Sequence, residues 1–332
     1  MSTEMTAYVI EEYGDPNVFE RTSVEVPDPG PEEVRVDVAA SSVNPVDYKI
    51  RRGDLPDFAP ELPARLGCDV SGVVDAVGDD VDAFEAGDEV YGMPGGAGRQ
   101  GALAEYVVGH AGTFAHAPES LPLEDAAALP VVALTAWEML ADKTTVGEDD
   151  GVIVYGASGG VGHVGVQLAD HFGARVTATG ATEEKRRFAA DLGADATVDY
   201  TDTDVESYVD EYADGDGFDA VFDPVGDDHL ETAFAAVRPY GTVLTTESSS
   251  TQDLSPMHAN SLELGVVLVI LPVLLGDRQE RVGDELDEIA SLVDDGAVEP
   301  HVAERFDFAD VAEAHRTAEE GEFVGKILLV AD

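Results

Sequence analysis

"VIVYGASGGVGHVGVQLADHFG", residues 152–173, carries an apolar run into a glycine-rich turn and then into a segment with helical spacing. Val152, Ile153 and Val154 read as a buried strand, and the helix that follows is closed by Gly173. The turn holds Gly156, Gly159, Gly160 and Gly162. A side chain at such positions would keep the backbone away from a pyrophosphate, which binds on the free N–H groups at a helix start. A glycine-rich turn alone says little. Between a buried strand and a helix it predicts a dinucleotide site, with the backbone of Gly159, Gly160, Val161 and Gly162 closing around the phosphates.

Outward from this turn, strand and helix patterns alternate. "ARVTATG" reads as a strand, "EEKRRFAADLG" as a helix ending at Gly193, and "DATVDY", "FDAVFDPVG" and "GTVLTT" as further strands. That alternation predicts parallel βαβ units with helices on both faces of one sheet. Upstream the pattern is different. "EEVRVDVAA" alternates Val34, Val36 and Val38 with charged neighbours, the period of a half-buried strand, and "GVVDAVG", "GDEVYG" and "AEYVVG" are short strands closed by glycine. Near residue 122 the chain turns Ala-rich and helical, which places a boundary there. The run "LGVVLVILPVLL", Leu264 to Leu275, is too short for the roughly 20 residues a bilayer span requires. It reads as a last buried strand interrupted at Pro272.

The chain of 332 residues is long enough for two domains. Its 18 basic and 69 acidic residues leave a net charge of −51, spread over every segment. A uniformly acidic surface repels nucleic acid and anionic membranes, so neither is expected as a partner. The same surface repels itself in dilute buffer and is relieved where molar salt shortens the screening length to roughly 3 Å. Such a composition resembles proteins of salt-loving microbes. With so many carboxylates, adjacent acids carry no catalytic meaning by proximity. Cys68 is the one cysteine, so no internal disulfide forms; this and the absence of an apolar leader after Met1 point to the cytoplasm.

Two further features bear on chemistry. At the end of the strand "VTATG", where NAD-binding proteins usually place an acid for the ribose hydroxyls, stand Gly180 and Ala181, followed by Lys185 and Arg186. In a chain with four lysines this basic cluster predicts a 2′-phosphate, hence NADPH. The alternative pairs these cations with Glu183, Glu184 and Asp191. The second feature is "RLGCDVSGVV", residues 65–74, where Cys68 and Asp69 stand together. One thiol and one carboxylate do not make three protein ligands, and none of the eight histidines pairs at ligand spacing, so no metal site is expected.

Taken in order, "NPVDYKIRRGD" (44–54), "LGCDVSGVVDAVGDDVDAFEAGDEVYG" (66–92), "AAALPVVALTAWEML" (126–140), "GASGGVG" and "VGKILL" (324–329) resemble the zinc-independent quinone and enone reductases of the medium-chain dehydrogenase/reductase superfamily. The resemblance implies an α/β protein: a GroES-like β-rich catalytic domain, residues 1–124 and 266–332, and a Rossmann domain with a doubly wound parallel sheet, residues 125–265. It places the active site in the cleft where these meet and implies a homodimer joined through edge strands. Zinc-bearing relatives carry Cys in the segment matching "NPVD" and Gly-His-Glu in that matching "GCD". The implied reaction is therefore metal-free hydride transfer from NADPH to a quinone or α,β-unsaturated carbonyl. In that scheme Lys49 donates to the substrate oxygen, while Tyr48 points the other way on an extended chain. Asn44 lies beside the nicotinamide and the substrate, and Tyr91 lines the pocket. Thr135 approaches the nicotinamide end, Tyr200 packs near the adenine, Lys326 sits close to the cofactor, and Ser158 contacts a phosphate. The rival classes are a zinc alcohol or sugar dehydrogenase and a non-catalytic NADPH-binding protein of the crystallin kind.

Overall fold

The computed structural model describes residues 3–247 and 249–331. Two compact units emerge, one formed by residues 1–134, 270–296 and 300–332, the other by residues 135–269 with 297–299.

The first unit is built on β-strands. β1 (Glu4–Ile10) and β2 (Phe19–Glu25) form an antiparallel pair of their own. β3 (Glu33–Ser42), β4 (Val70–Val77), β5 (Glu89–Gly92), β6 (Tyr106–His110) and β7 (Phe114–His116) belong to a larger sheet. Val34, Val36 and Val38 of β3 are buried while their neighbours are less so, as the alternation predicts. β3 is the hub of this sheet. It pairs antiparallel with β4 and β6, and also with the last strand of the chain. Asn44 then starts the helix Pro45–Arg52, with Pro45 in its first turn and Gly53 ending it at φ 83°. The segment "NPVDYKIRR" is thus helical rather than extended, and Tyr48 and Lys49 are successive residues on that helix.

The second unit holds β8 (Gly151–Val154), β9 (Arg175–Thr179), β10 (Ala196–Val198), β11 (Phe218–Asp223), β12 (Val237–Thr245) and β13 (Glu263–Val266). All pairs are parallel, in the order β10-β9-β8-β11-β12-β13. The chain winds outward from β8 through β9 to β10, then returns to the other side of β8 at β11. Strand order therefore reverses between β8 and β11, the place where doubly wound sheets open a crevice beyond their C-terminal strand ends. The helices Gly160–His171, Glu183–Asp191, Val205–Tyr212 and His229–Ala236 supply the crossovers. Back in the first unit, β14 (Val302–Asp307) and β15 (Lys326–Val330) complete the larger sheet, β15 pairing with β3.

The apolar run 264–275 differs from expectation. Only its beginning is strand, at the sheet edge in β13, and Leu271–Leu275 is a short helix with Pro272 in its first turn. The strand stops at Val266, well before Pro272, and proline, which fits a helix start, stands in the first turn of the helix. Val267, Ile270 and Val273 are buried, whereas Leu268, Leu271 and Leu275 are exposed.

Candidate active site

Functional geometry gathers in two places, one in each unit. In the second unit it is the turn after β8. Gly156 takes φ 58°, a conformation that favours glycine, and Gly159 caps the helix Gly160–His171. At Gly162 a Cβ would stand 2.1 Å from the Gly156 carbonyl oxygen, and at Gly165 2.7 Å from the Phe222 ring. The first contact holds the turn against the helix; the second lets the helix lie on the sheet. At Gly159 a Cβ would stand 3.3 Å from the Gly156 carbonyl oxygen, a tight contact that the turn would have to give slightly to admit. A glycine turn that opens a helix, whose first N–H groups have no intrahelical partner, fits a dinucleotide pyrophosphate. Ser158 lies in this turn and Val161 is the second residue of the helix, both half-buried.

At the end of β9 the basic residues divide. Arg186 Nη1 donates to Asp199 Oδ2 at 2.6 Å and to the Gly180 carbonyl at 3.0 Å. It joins β9 to the segment after β10. Lys185 is half-buried and has no ion pair among the described residues. Gly180 itself is buried, and a Cβ there would meet Arg186 and Lys185 at 3.1–3.3 Å. Tyr200, just past β10, is 52% exposed, while Thr135 is buried in the helix Pro130–Trp137. Asp223 ends β11, where Oδ1 accepts from the N–H groups of Val225 at 3.1 Å and Gly226 at 3.0 Å. Burial pushes its carboxyl up from the usual range.

In the first unit a buried polar cluster forms at the end of β3. Register explains it. Leu328 of β15 pairs with Ser42, and two residues further along the antiparallel ladder bring Lys326 opposite Asn44. Ser71 of β4 pairs with Ala40, which brings Asp69 opposite Ser42. Lys326 Nζ donates to Asn44 Oδ1 at 2.6 Å and to the Val43 carbonyl at 3.1 Å, and lies 3.6 Å from Asp69 Oδ2. Asp69 Oδ2 also accepts from Asn44 Nδ2 at 2.7 Å and from Ser42 Oγ, and Oδ1 accepts from the Val131 N–H at 2.7 Å. Asp47 accepts from the Asn44 N–H at 2.9 Å and the Gly67 N–H at 3.1 Å. All of these side chains are buried. Burial raises the Asp47 carboxyl to about 6, with the Asp69 charge adding to the rise. Burial raises the Cys68 thiol as well, and lowers the Lys326 ammonium.

The residues expected at the site fall into groups. Asn44 and Lys326 come together, as do Gly156 through Gly162, and Gly180 with Lys185 and Arg186. Lys49 lies half-buried on the helix that Asn44 begins. Tyr91, expected to line a pocket, is wholly buried, and its hydroxyl donates to the Leu286 carbonyl at 2.6 Å. The helix Gln279–Asp294 covers it, so the ring is core. Asp69 and Asp47 do not stand out in the sequence as members of a site. The available signal is an acid flanked by Cys68 and Val70 at the start of an apolar strand, where a charge needs a partner.

Residues 30–119 match the family described as "Alcohol dehydrogenase GroES-like domain", and residues 192–329 the one described as "Zinc-binding dehydrogenase". The chain is 32% identical over 361 residues to the zebrafish (Danio rerio) "NAD(P)H oxidoreductase RTN4IP1, mitochondrial", covering 98% of this chain and 91% of that one. It is 32% identical over 309 residues to a "Quinone oxidoreductase" of Pseudomonas aeruginosa, covering 91% of this chain and 92% of the relative. An alcohol dehydrogenase superfamily protein from Novosphingobium aromaticivorans superimposes with a TM-score of 0.94 at 35% identity, over 99% of this chain and all of that one. The zinc ion implied by one family description does not fit the cluster: an ammonium stands among its carboxylate and carboxamide, and no group of three or more His, Cys, Asp or Glu among the described residues could hold a metal. By its GroES-like domain, its six-stranded parallel sheet and its relatives, the chain belongs to the medium-chain dehydrogenase/reductase superfamily of oxidoreductases.

Proposed function

We propose that the protein reduces a quinone or an α,β-unsaturated carbonyl compound with NADPH, by hydride transfer and without a metal ion. The observation that carries this reading is the turn Gly156–Gly162 at the strand-order reversal, where a Cβ at Gly162 would strike backbone 2.1 Å away. Bound there, the dinucleotide supplies hydride from its nicotinamide to an electron-poor carbon. The chain's own part is to hold the phosphates on backbone N–H groups, to offer Lys185 to a 2′-phosphate, and to place a donor on the substrate oxygen as negative charge builds there. Lys49 is that donor. The names of the quinone oxidoreductase and NAD(P)H oxidoreductase relatives support the reaction class. Reduction of such acceptors needs no Lewis acid, and the buried ammonium of Lys326 supports a metal-free site.

The protein acts as a cytoplasmic homodimer on a small-molecule acceptor. The edge position of β13 and the exposed Val266 and Leu268 support the pairing, and the charge of −51 disfavours nucleic acid and membrane surfaces. No helix among the described residues is long and apolar enough to cross a membrane.

The test is NADPH oxidation against quinones, enones and 2-alkenals in molar KCl, with and without a chelator. Acceptor-dependent oxidation that survives chelation is expected. Turnover only with alcohols and added zinc, or cofactor binding with no turnover, overturns the assignment. Lys49→Met should cut enone turnover about ten- to a thousandfold, the range for losing one positioned donor, and leave NADPH affinity nearly unchanged.

A further inference from the structure

Lys326 is 3% exposed, and its ammonium is held by the Asn44 carboxamide oxygen at 2.6 Å, the Val43 carbonyl at 3.1 Å and the Asp69 carboxylate at 3.6 Å. Two of its three N–H bonds go to the Asn44 and Val43 oxygens and the Asp69 carboxylate stands at ion-pair distance, so the ammonium is turned into the cluster. Asn44, in turn, is gripped at both ends of its carboxamide. An ammonium only donates and an ionised carboxylate only accepts, which dictates oxygen toward Lys326 and nitrogen toward Asp69. One Nδ2–H goes to Asp69 Oδ2 at 2.7 Å, and the second has no acceptor among the described residues. It is the spare hydrogen-bonding capacity of the cluster. A carboxamide whose oxygen faces a cation at low dielectric is polarised, and its N–H becomes a better donor.

We propose that Lys326 is a positioning residue: it fixes and polarises the Asn44 carboxamide, whose second Nδ2–H meets the carbonyl oxygen of the bound quinone or enone, and it makes no contact with the cofactor. This rests on the reaction proposed above. Asp69 holds the other end of the same carboxamide, and Asp47 holds the Asn44 backbone N–H at 2.9 Å, so backbone and side chain are both anchored.

Wild-type NADPH affinity, by fluorescence titration, and enone turnover are measured first in about 1 M KCl, where screening falls to about 3 Å. A wild type that does neither overturns the reaction assignment, and this proposal with it. With an active wild type, Lys326→Met and Asn44→Ala should each lower enone kcat about 10- to 100-fold, with NADPH Kd unchanged within about twofold. The double variant should be no slower than Asn44→Ala, because Lys326 acts through that side chain. Losses that multiply, or an NADPH Kd that weakens in step with kcat/KM, overturn the proposal while the reaction stands. If Lys326→Met does not fold, wild-type protein carrying isotope-labelled asparagine decides. A non-reducible phenol analogue should shift one Nδ2–H of Asn44 and leave its partner nearly in place; two unmoved signals overturn the proposal.

Discussion

His315 lies in the helix Val311–Glu320, packed edge-on to Phe19 at 4.8 Å, and its Nδ1 finds no hydrogen-bond partner among the described residues. Burial, and then the Arg51 charge, push it down from 6.5 to about 3. The unfolded chain therefore takes up a proton near 6.5 that the folded chain refuses until about 3, and stability from this group is lost as pH falls through that window. Asp47 has the opposite sign. Its folded value of about 6 exceeds the ordinary 3.8, so its contribution is full below 3.8 and is lost as pH rises toward 6. Denaturant unfolding at a series of pH values, at fixed salt, should separate them. Wild type should lose stability relative to His315→Leu as pH falls below 6.5, by at most about 1.4 kcal/mol per pH unit. Relative to Asp47→Asn it should lose stability as pH rises from 3.8 to 6. Parallel curves would show that neither burial holds in solution. Neither residue announces itself in the sequence, because a histidine or aspartate on a helix looks the same whether its face is covered or wet.

At the scale of elements, the β8 turn and the helix after it make two glycines separable. Gly162→Ala forces a Cβ against backbone 2.1 Å away and should cost about 1–3 kcal/mol of stability, seen as a lower Tm without any ligand. Gly159→Ala meets the same Gly156 carbonyl oxygen at 3.3 Å, a much smaller conflict, and should lower Tm less than Gly162→Ala while weakening NADPH binding. Equal Tm values for the two would contradict the geometry. In the helix Glu183–Asp191 the two cations should part in the same way. Arg186 is bonded to Asp199 and to the Gly180 carbonyl, so Arg186→Ala should lower Tm. Lys185→Ala should leave Tm alone and reduce the preference for NADPH over NADH about two- to fivefold, the worth of one exposed charge contact. A ratio unmoved by Lys185→Ala would remove the lysine from cofactor choice. The strand–turn–helix pattern is legible in the residues themselves because its signals are local: apolar period, glycine, helical spacing. The division of labour between Lys185 and Arg186 is not, since it depends on Asp199 arriving beside Arg186 from the next strand.

For the whole molecule the charge of −51 dominates. Ion pairs such as Arg35 with Asp75 and Arg238 with Asp219 use up cations that are already few, 18 against 69 acidic residues. Below roughly 0.5 M salt the screening length becomes comparable to the spacing of these charges, and native structure or self-association should be lost. Circular dichroism and light scattering across a KCl series give the answer; an unchanged spectrum in dilute buffer would show that packing outweighs the repulsion.

The sequence by itself determined the layout of the second unit, the glycine turn and the β-rich first unit, because strand and helix periods and turn glycines act over a few residues. It also carried the charge, and through ordered motifs the superfamily. Only the tertiary structure decided that the strand stops at Val266 and that Leu271–Leu275 is a helix, that Tyr91 is core, and that "NPVDYKIRR" is a helix. It alone joined Lys326 to Asn44 across 282 residues and closed both onto Asp69. That cluster depends on strand register between distant segments. A buried charge is stable only where register delivers its partner, and no local pattern of residues encodes that meeting.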